Sequence, residues 1–246
     1  MARTLSLVPE ETPSLQHYVD LVEAVWPVQL AENVQLVHGR RDDVVLAPPY
    51  VFRFPRDEDA VENVRRRTRV IRLLARQDRR FGVLIPDVLL GRLESEPPGA
   101  AFVVEQHIDG EPLKRASIEA LGALSYRFAQ QIADVLHALR QIDVSEVRDS
   151  LAPAPKVTGA SRTMLCLVHG DFTSESLLWD ADESKLVGLL GWGRTHVGDP
   201  AYDVASLMVT FGDAFAQTVF ELVRYDDPKL MQRARKIAPQ LDITPG

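Results

Sequence analysis

The chain has 246 residues, 46% hydrophobic and 26% charged, with a formal net charge of -7. Such a chain can bury a substantial core in one two-lobed domain or two small ones, far from disordered or collagenous composition. The acidic balance argues against a nucleic-acid partner, the single Cys166 excludes an intramolecular disulfide or a Cys-built metal site, and no apolar run approaches membrane-spanning length. The N-terminus MARTLSLVPEETP lacks the basic start and apolar run of a signal peptide, so a soluble cytoplasmic protein with no membrane partner is expected.

From Ser14 to Trp26 the apolar residues Leu15, Tyr18, Val19, Val22, Val25 and Trp26 recur at helical spacing, and Pro27 ends the segment. Val34 to Val37, Val44 to Ala47 and Tyr50 to Phe54 read as three antiparallel strands, joined by HGRRDD and by Pro48-Pro49. A helix from Asp59 to Arg76 turns Val61, Val64, Val70, Ile71, Leu73 and Leu74 inward and carries arginines elsewhere. Val88 to Leu93 and Ala101 to Gln106 then form a hairpin around a Pro-Pro-Gly turn.

After HIDGEPL the chain becomes mainly helical, which sets an N-terminal lobe of residues 1–106 and a C-terminal lobe of 107–246. Ser117 is the expected N-cap of one helix to Ile142, and residues 149–163 are loop-like. Met164 to Val168 and Lys185 to Leu190 are short apolar runs, and helices over 201–224 and 228–238 close the chain. His137 is expected to pack, and His38 and His196 to lie solvated in loops.

The segment VHGDFTSESLLWDADESKLVGLLGWGRTHVGDPAYDVASL, residues 168–207, resembles the catalytic loop and metal segment of the aminoglycoside phosphotransferase and choline kinase family. That family's pattern is HGDxxxxN, two short strands, IDW, then GDPxxDLA. His169, Gly170, Asp171, Trp192, Gly198, Asp199, Pro200, Tyr202, Asp203 and Ala205 match it in order and spacing. YVFRFPR resembles the third strand, VEQHIDGEPL the hinge, and RFAQQIADVLHALRQID the helix before the catalytic loop. The resemblance implies an α+β, two-lobed protein-kinase-like fold, with a small antiparallel sheet in the first lobe and helices in the second.

It also implies ATP and Mg²⁺ as cofactors, with Asp171 at the base position and His169 beside it. Arg53 would be the strand cation, Gly39 part of the phosphate-covering loop, and Glu105 and His107 part of the nucleotide hinge. Phosphoryl transfer is mostly positioning and charge neutralisation, so departures from these parts carry weight. The two metal-ligand positions hold Ser176 and Gly191, a neutral hydroxyl and no side chain, where a hard cation wants amide and carboxylate oxygens.

Arg53 takes the place of a lysine, and none of the chain's five lysines precedes Lys114. The helix position of its usual glutamate aligns with Arg67, which would repel Arg53, with Glu62 as a substitute partner. Asp199 and Asp203 read as structural caps. Asp180 and Asp182 read as turn residues. Two readings follow: a pseudokinase acting through a small-molecule or peptide ligand or a partner protein, and an active ATP-dependent O-phosphotransferase on a small-molecule or peptide hydroxyl. The chain is short where relatives read their acceptor, so an open acceptor site, or one completed by a second copy in a homodimer, is expected. The arginine run 65–72 reads as a solvated helix face or a surface for an acidic partner.

Overall fold

A computed structural model describes residues 13–26, 30, 34–39, 41–75, 81–94, 96, 98–146, 148, 151–161 and 164–243. Pro27, Arg40, Arg76 and Pro97, and parts of the 149–163 loop, lie outside the described residues, as does most of the N-terminal segment.

The first lobe is a five-stranded antiparallel sheet in the order β1-β2-β3-β5-β4, with β1 Gln35–His38, β2 Asp42–Ala47, β3 Tyr50–Pro55, β4 Val88–Arg92 and β5 Phe102–Gln106. Alternation along β3 and β5 sorts their side chains onto two faces. Phe52, Phe54, Phe102 and Val104 pack under α1, Leu15–Glu23, against Tyr18 and Val22. Val103, on the other face, packs with Val61 and Val64 of α2, Glu58–Ala75. Arg53 lies opposite Val103, and Val51 opposite Glu105, so the same register that buries the apolar core also places Arg53 and Glu105 on the α2 side.

In the second lobe β6, Glu111–Pro112, pairs with β8, Leu177–Asp180, which pairs with β9, Lys185–Leu189. Leu84 extends that sheet: its N–H donates to the Val187 carbonyl at 2.8 Å and its own carbonyl accepts from Leu189 N–H at 2.9 Å. A two-stranded ladder joins β7, Cys166–Val168, to β10, His196–Gly198. The two-lobed α+β architecture expected from the sequence is present.

Two expected helices are each interrupted. The 117–142 segment splits into α3, Arg115–Leu121, a 3-10 turn at Gly122–Leu124, and α4, Ser125–Arg140. Ser117 is not the N-cap; its N–H already bonds the Lys114 carbonyl at 3.0 Å, inside the first turn. The 201–224 segment divides into α5, Ala201–Phe211, and α6, Asp213–Val223, because Gly212 takes φ +92°, a conformation open to glycine and not to a helix. The last helix, α7, runs Leu230–Ile237. Ile132, Leu136, Leu139, Trp192, Val204, Leu207 and Ala234 are among the residues of the core that joins these helices. Among the described residues no helix is long and apolar enough to cross a membrane.

Candidate functional site

The loop from His169 to Ser176 is held by buried groups beneath it. Asp203, in the first turn of α5, accepts from the N–H groups of His169 at 3.1 Å and Gly170 at 2.8 Å. It therefore fixes the loop rather than capping its own helix. Burial pushes its carboxyl up to about 7 against the effect of those two bonds. Asp199 is structural as expected: it accepts from Ala201 N–H at 3.0 Å at the start of α5 and from both Nε and Nη2 of Arg233.

His169 is fully buried between Phe172 and Trp192. Its Nδ1 accepts from the Asp171 N–H at 3.2 Å, which places the proton on Nε2, and Nε2 donates to the Leu190 carbonyl at 2.7 Å. Burial lowers its pKa to about 3, so it stays neutral across physiological pH. An imidazole bonded at both nitrogens inside the core orients Asp171 and the Leu190–Gly191 backbone.

Asp171 itself is about a quarter exposed, with Arg194 Nε 3.9 Å from its Oδ1. Gly191 sits over it in the left-handed region at φ +85° and ψ +18°. A Cβ built there would lie 3.2 Å from Asp171 Oδ2 and 3.2 Å from Ser176 Cβ. The three positions that the resemblance assigns to base and metal thus converge in one corner. The Ser176 hydroxyl, however, donates to the Thr173 carbonyl at 2.9 Å and accepts from the Thr173 N–H at 2.9 Å. It closes a local turn and is buried.

Mg²⁺ demands a near-octahedral set of hard oxygen ligands. With Ser176 turned inward and no side chain at 191, this corner offers Asp171 as its carboxylate, and the residues present do not fit a magnesium ion held in the implied manner. Among the described residues no group of three or more His, Cys, Asp or Glu side chains is placed to hold a metal.

The strand cation also behaves differently from expectation. Arg53 and Arg67 do not simply repel, because Glu105 lies between them. Arg67 donates from Nε and Nη2 to the two Glu105 oxygens at 2.7 and 2.6 Å, and Arg53 donates from Nε to Glu105 Oε2 at 3.1 Å and from Nη1 to Asp42 Oδ2 at 3.1 Å. Burial alone would raise the Glu105 carboxyl, but the two guanidiniums outweigh it and hold its pKa below the ordinary value. Two cations and two carboxylates make the cluster neutral, so it presents little surplus positive charge to a phosphate. Glu62 pairs instead with Arg65, Arg66 and Arg69 on its own helix, at 3.7 to 3.9 Å.

The other expected residues serve turns. Gly39 N–H donates to the Asp42 carbonyl at 2.9 Å, closing the β1–β2 connection. His107 donates its backbone N–H to Pro49 at 2.9 Å, and its Nδ1 lies 3.2 Å from Asp109 Oδ1. Asp180 accepts from Glu183 N–H as a turn residue does. Of the histidine expectations, His38 is exposed as expected but ends β1, where it bonds Asp43 at 2.8 Å, whereas His196 is buried in β10 and His137 is exposed on α4. Arg194 beside Asp171, and the role of Glu105 as a shared counter-ion, escaped the sequence reading. Both are set by contacts between segments distant in sequence.

The sequence model of the phosphotransferase enzyme family matches residues 22–162 and 148–232. A viomycin phosphotransferase of Streptomyces vinaceus is 24% identical over 261 residues, spanning 91% of this chain and 89% of that protein. The GDP complex of wild-type aminoglycoside 2'-phosphotransferase-IIIa superposes with a TM-score of 0.77 at 18% identity, over 90% of this chain and 86% of that one. The streptomycin–ATP ternary complex of APH(2")-IIa gives 0.70 at 18% identity, over 90% and 86%. These structural likenesses establish the fold.

Proposed function

This chain belongs to the phosphotransferase enzyme family, and we propose that within it the protein is a pseudokinase, acting by binding a ligand or partner rather than by metal-dependent phosphoryl transfer. The observation that carries this reading is the closed state of the metal corner: the Ser176 hydroxyl is bonded in both directions to Thr173, and position 191 has no side chain. Arg67 at the helix position where the resemblance implies a glutamate supports it, since the strand cation Arg53 then shares Glu105 of β5 with a second arginine instead of having its own partner on α2.

The other reading is an ATP- or GTP-dependent O-phosphotransferase with Asp171 as base, on a hydroxyl of a small molecule such as those the relatives' names describe. It is favoured by the well-formed frame of the loop, in which Asp203 and His169 hold Asp171 at the surface.

Isothermal titration with ATP and with GTP, each with and without Mg²⁺, separates the two, run beside the variant Ser176→Asn/Gly191→Asp. Asp tolerates the left-handed backbone better than most residues, so the variant can fold. The pseudokinase reading expects no Mg²⁺-dependent binding by the parent chain. Tight Mg²⁺-dependent binding by the parent, with transfer to any hydroxyl acceptor, would sink it.

A further inference from the structure

On the second lobe, away from Asp171, a groove of about 670 Å³ runs between α4 and α6 over a floor of Ala133 and Val223. The two helices end together, because Arg140 in the last turn of α4 stacks 4.8 Å over the ring of Tyr225, just beyond α6. Charge therefore changes sign in the same direction along both walls. Asp134 and Glu221 supply the acidic charges, and the basic ones follow toward the helix ends, Arg140 six residues on along α4 and Arg224 three residues on from Glu221. Asp226 at the basic end offsets part of that charge.

A surface that is acidic at one end and basic at the other is complementary to a copy of itself turned through 180°. Under a two-fold axis crossing between the rows, each acidic row meets the partner's basic row and every contact is made twice. Two further observations point to a covered surface. Tyr126 on the same groove is 57% exposed, and Leu124 beside it 51%, large side chains of the kinds that interfaces bury. Arg224 holds a left-handed backbone, φ +53°, where glycine is the ordinary residue at the end of a helix. Keeping an arginine there is disfavoured by its Cβ, and its side chain lines the groove's end.

We infer that the α4–α6 groove is an isologous dimer interface whose occupant is a second copy of this chain. The face is independent of the metal corner, so the inference stands or falls apart from the pseudokinase reading.

Sedimentation velocity of the full chain over a rising concentration series tests it. A concentration-dependent dimer is expected, weakened by added salt because the paired rows are partly solvated. Arg224→Glu and Glu221→Arg each set like charges against each other across the axis and should weaken dimerisation at least about tenfold. The double variant E221R/R224E exchanges the acidic and basic positions of α6, so that they again meet opposite charges across the axis, and should restore it. Circular dichroism checks that each variant is folded. If a reversal does not fold, Glu221→Gln and Arg224→Gln take its place, with a smaller weakening expected. A parent chain that stays monomeric throughout, single variants that dimerise like the parent, or a double variant that fails to recover would each overturn the inference.

Discussion

The strand-and-helix cluster around Glu105 and the loop around Asp171 depart from the family pattern in opposite ways. In the first, the expected lysine and glutamate positions both carry arginine, and a carboxylate from a third element has been recruited to neutralise them. In the second, the buried frame of His169, Asp203 and Trp192 is in place, and the two positions to which the resemblance assigns metal ligands hold a buried serine and a glycine. The difference follows from burial. A charge inside the protein that loses its partner costs several kcal/mol, so a change there survives only with a compensating change within reach. A side chain that serves only to hold a metal contributes to chemistry and little to folding, so its loss leaves the fold intact.

The sharpest way to break that contrast is Glu105→Gln. It leaves the buried Arg67 and the half-buried Arg53 without their shared counter-ion and should lower the unfolding free energy by about 3 kcal/mol in urea denaturation. A loss within the range of ordinary surface substitutions would show that solvent, rather than Glu105, neutralises the pair.

The two buried carboxylates should also respond oppositely to pH. Asp203 is raised from 3.8 to about 7 on folding, so the folded state binds its proton more tightly than the unfolded chain. Its contribution to stability is full below about 4 and is lost as pH rises through about 7. Glu105 is lowered, so its contribution is present above its unfolded value and is lost as pH falls. Asp203→Asn should therefore flatten the decline in stability between about pH 4 and 7, a difference of roughly 4 kcal/mol at most. Denaturation of parent and variant at matched pH measures it, and parallel pH profiles would contradict the assignment.

Ser176→Ala should have the smallest effect. It removes the two bonds to Thr173 that close the turn, for a loss of about 1 kcal/mol, and leaves nucleotide binding as it was. A change in Mg²⁺-dependent binding in this variant would mean that the hydroxyl reaches a ligand after all.

The alternation of β3 and β5, the helical periodicity of α2 and α4, and the spaced anchors from His169 to Ala205 were legible in the sequence because each is a local pattern. They carried the fold and located the corner of Asp171, Ser176 and Gly191. The breaks at Gly122 and Gly212 were not legible, since apolar spacing continues across them and only packing of the flanking helices decides whether a glycine bends. Nor were the partners: Arg53 and Arg67 read as a repulsive pair until β5 delivered Glu105 between them, and Ser176 read as a neutral hydroxyl at a metal-ligand position until that hydroxyl turned to Thr173. Sequence alone determined which groups this protein carries and which it lacks. Tertiary structure decided where each charge finds its counter-ion, because hydrogen bonds and ion pairs form over about 3–4 Å between segments that the linear order leaves far apart.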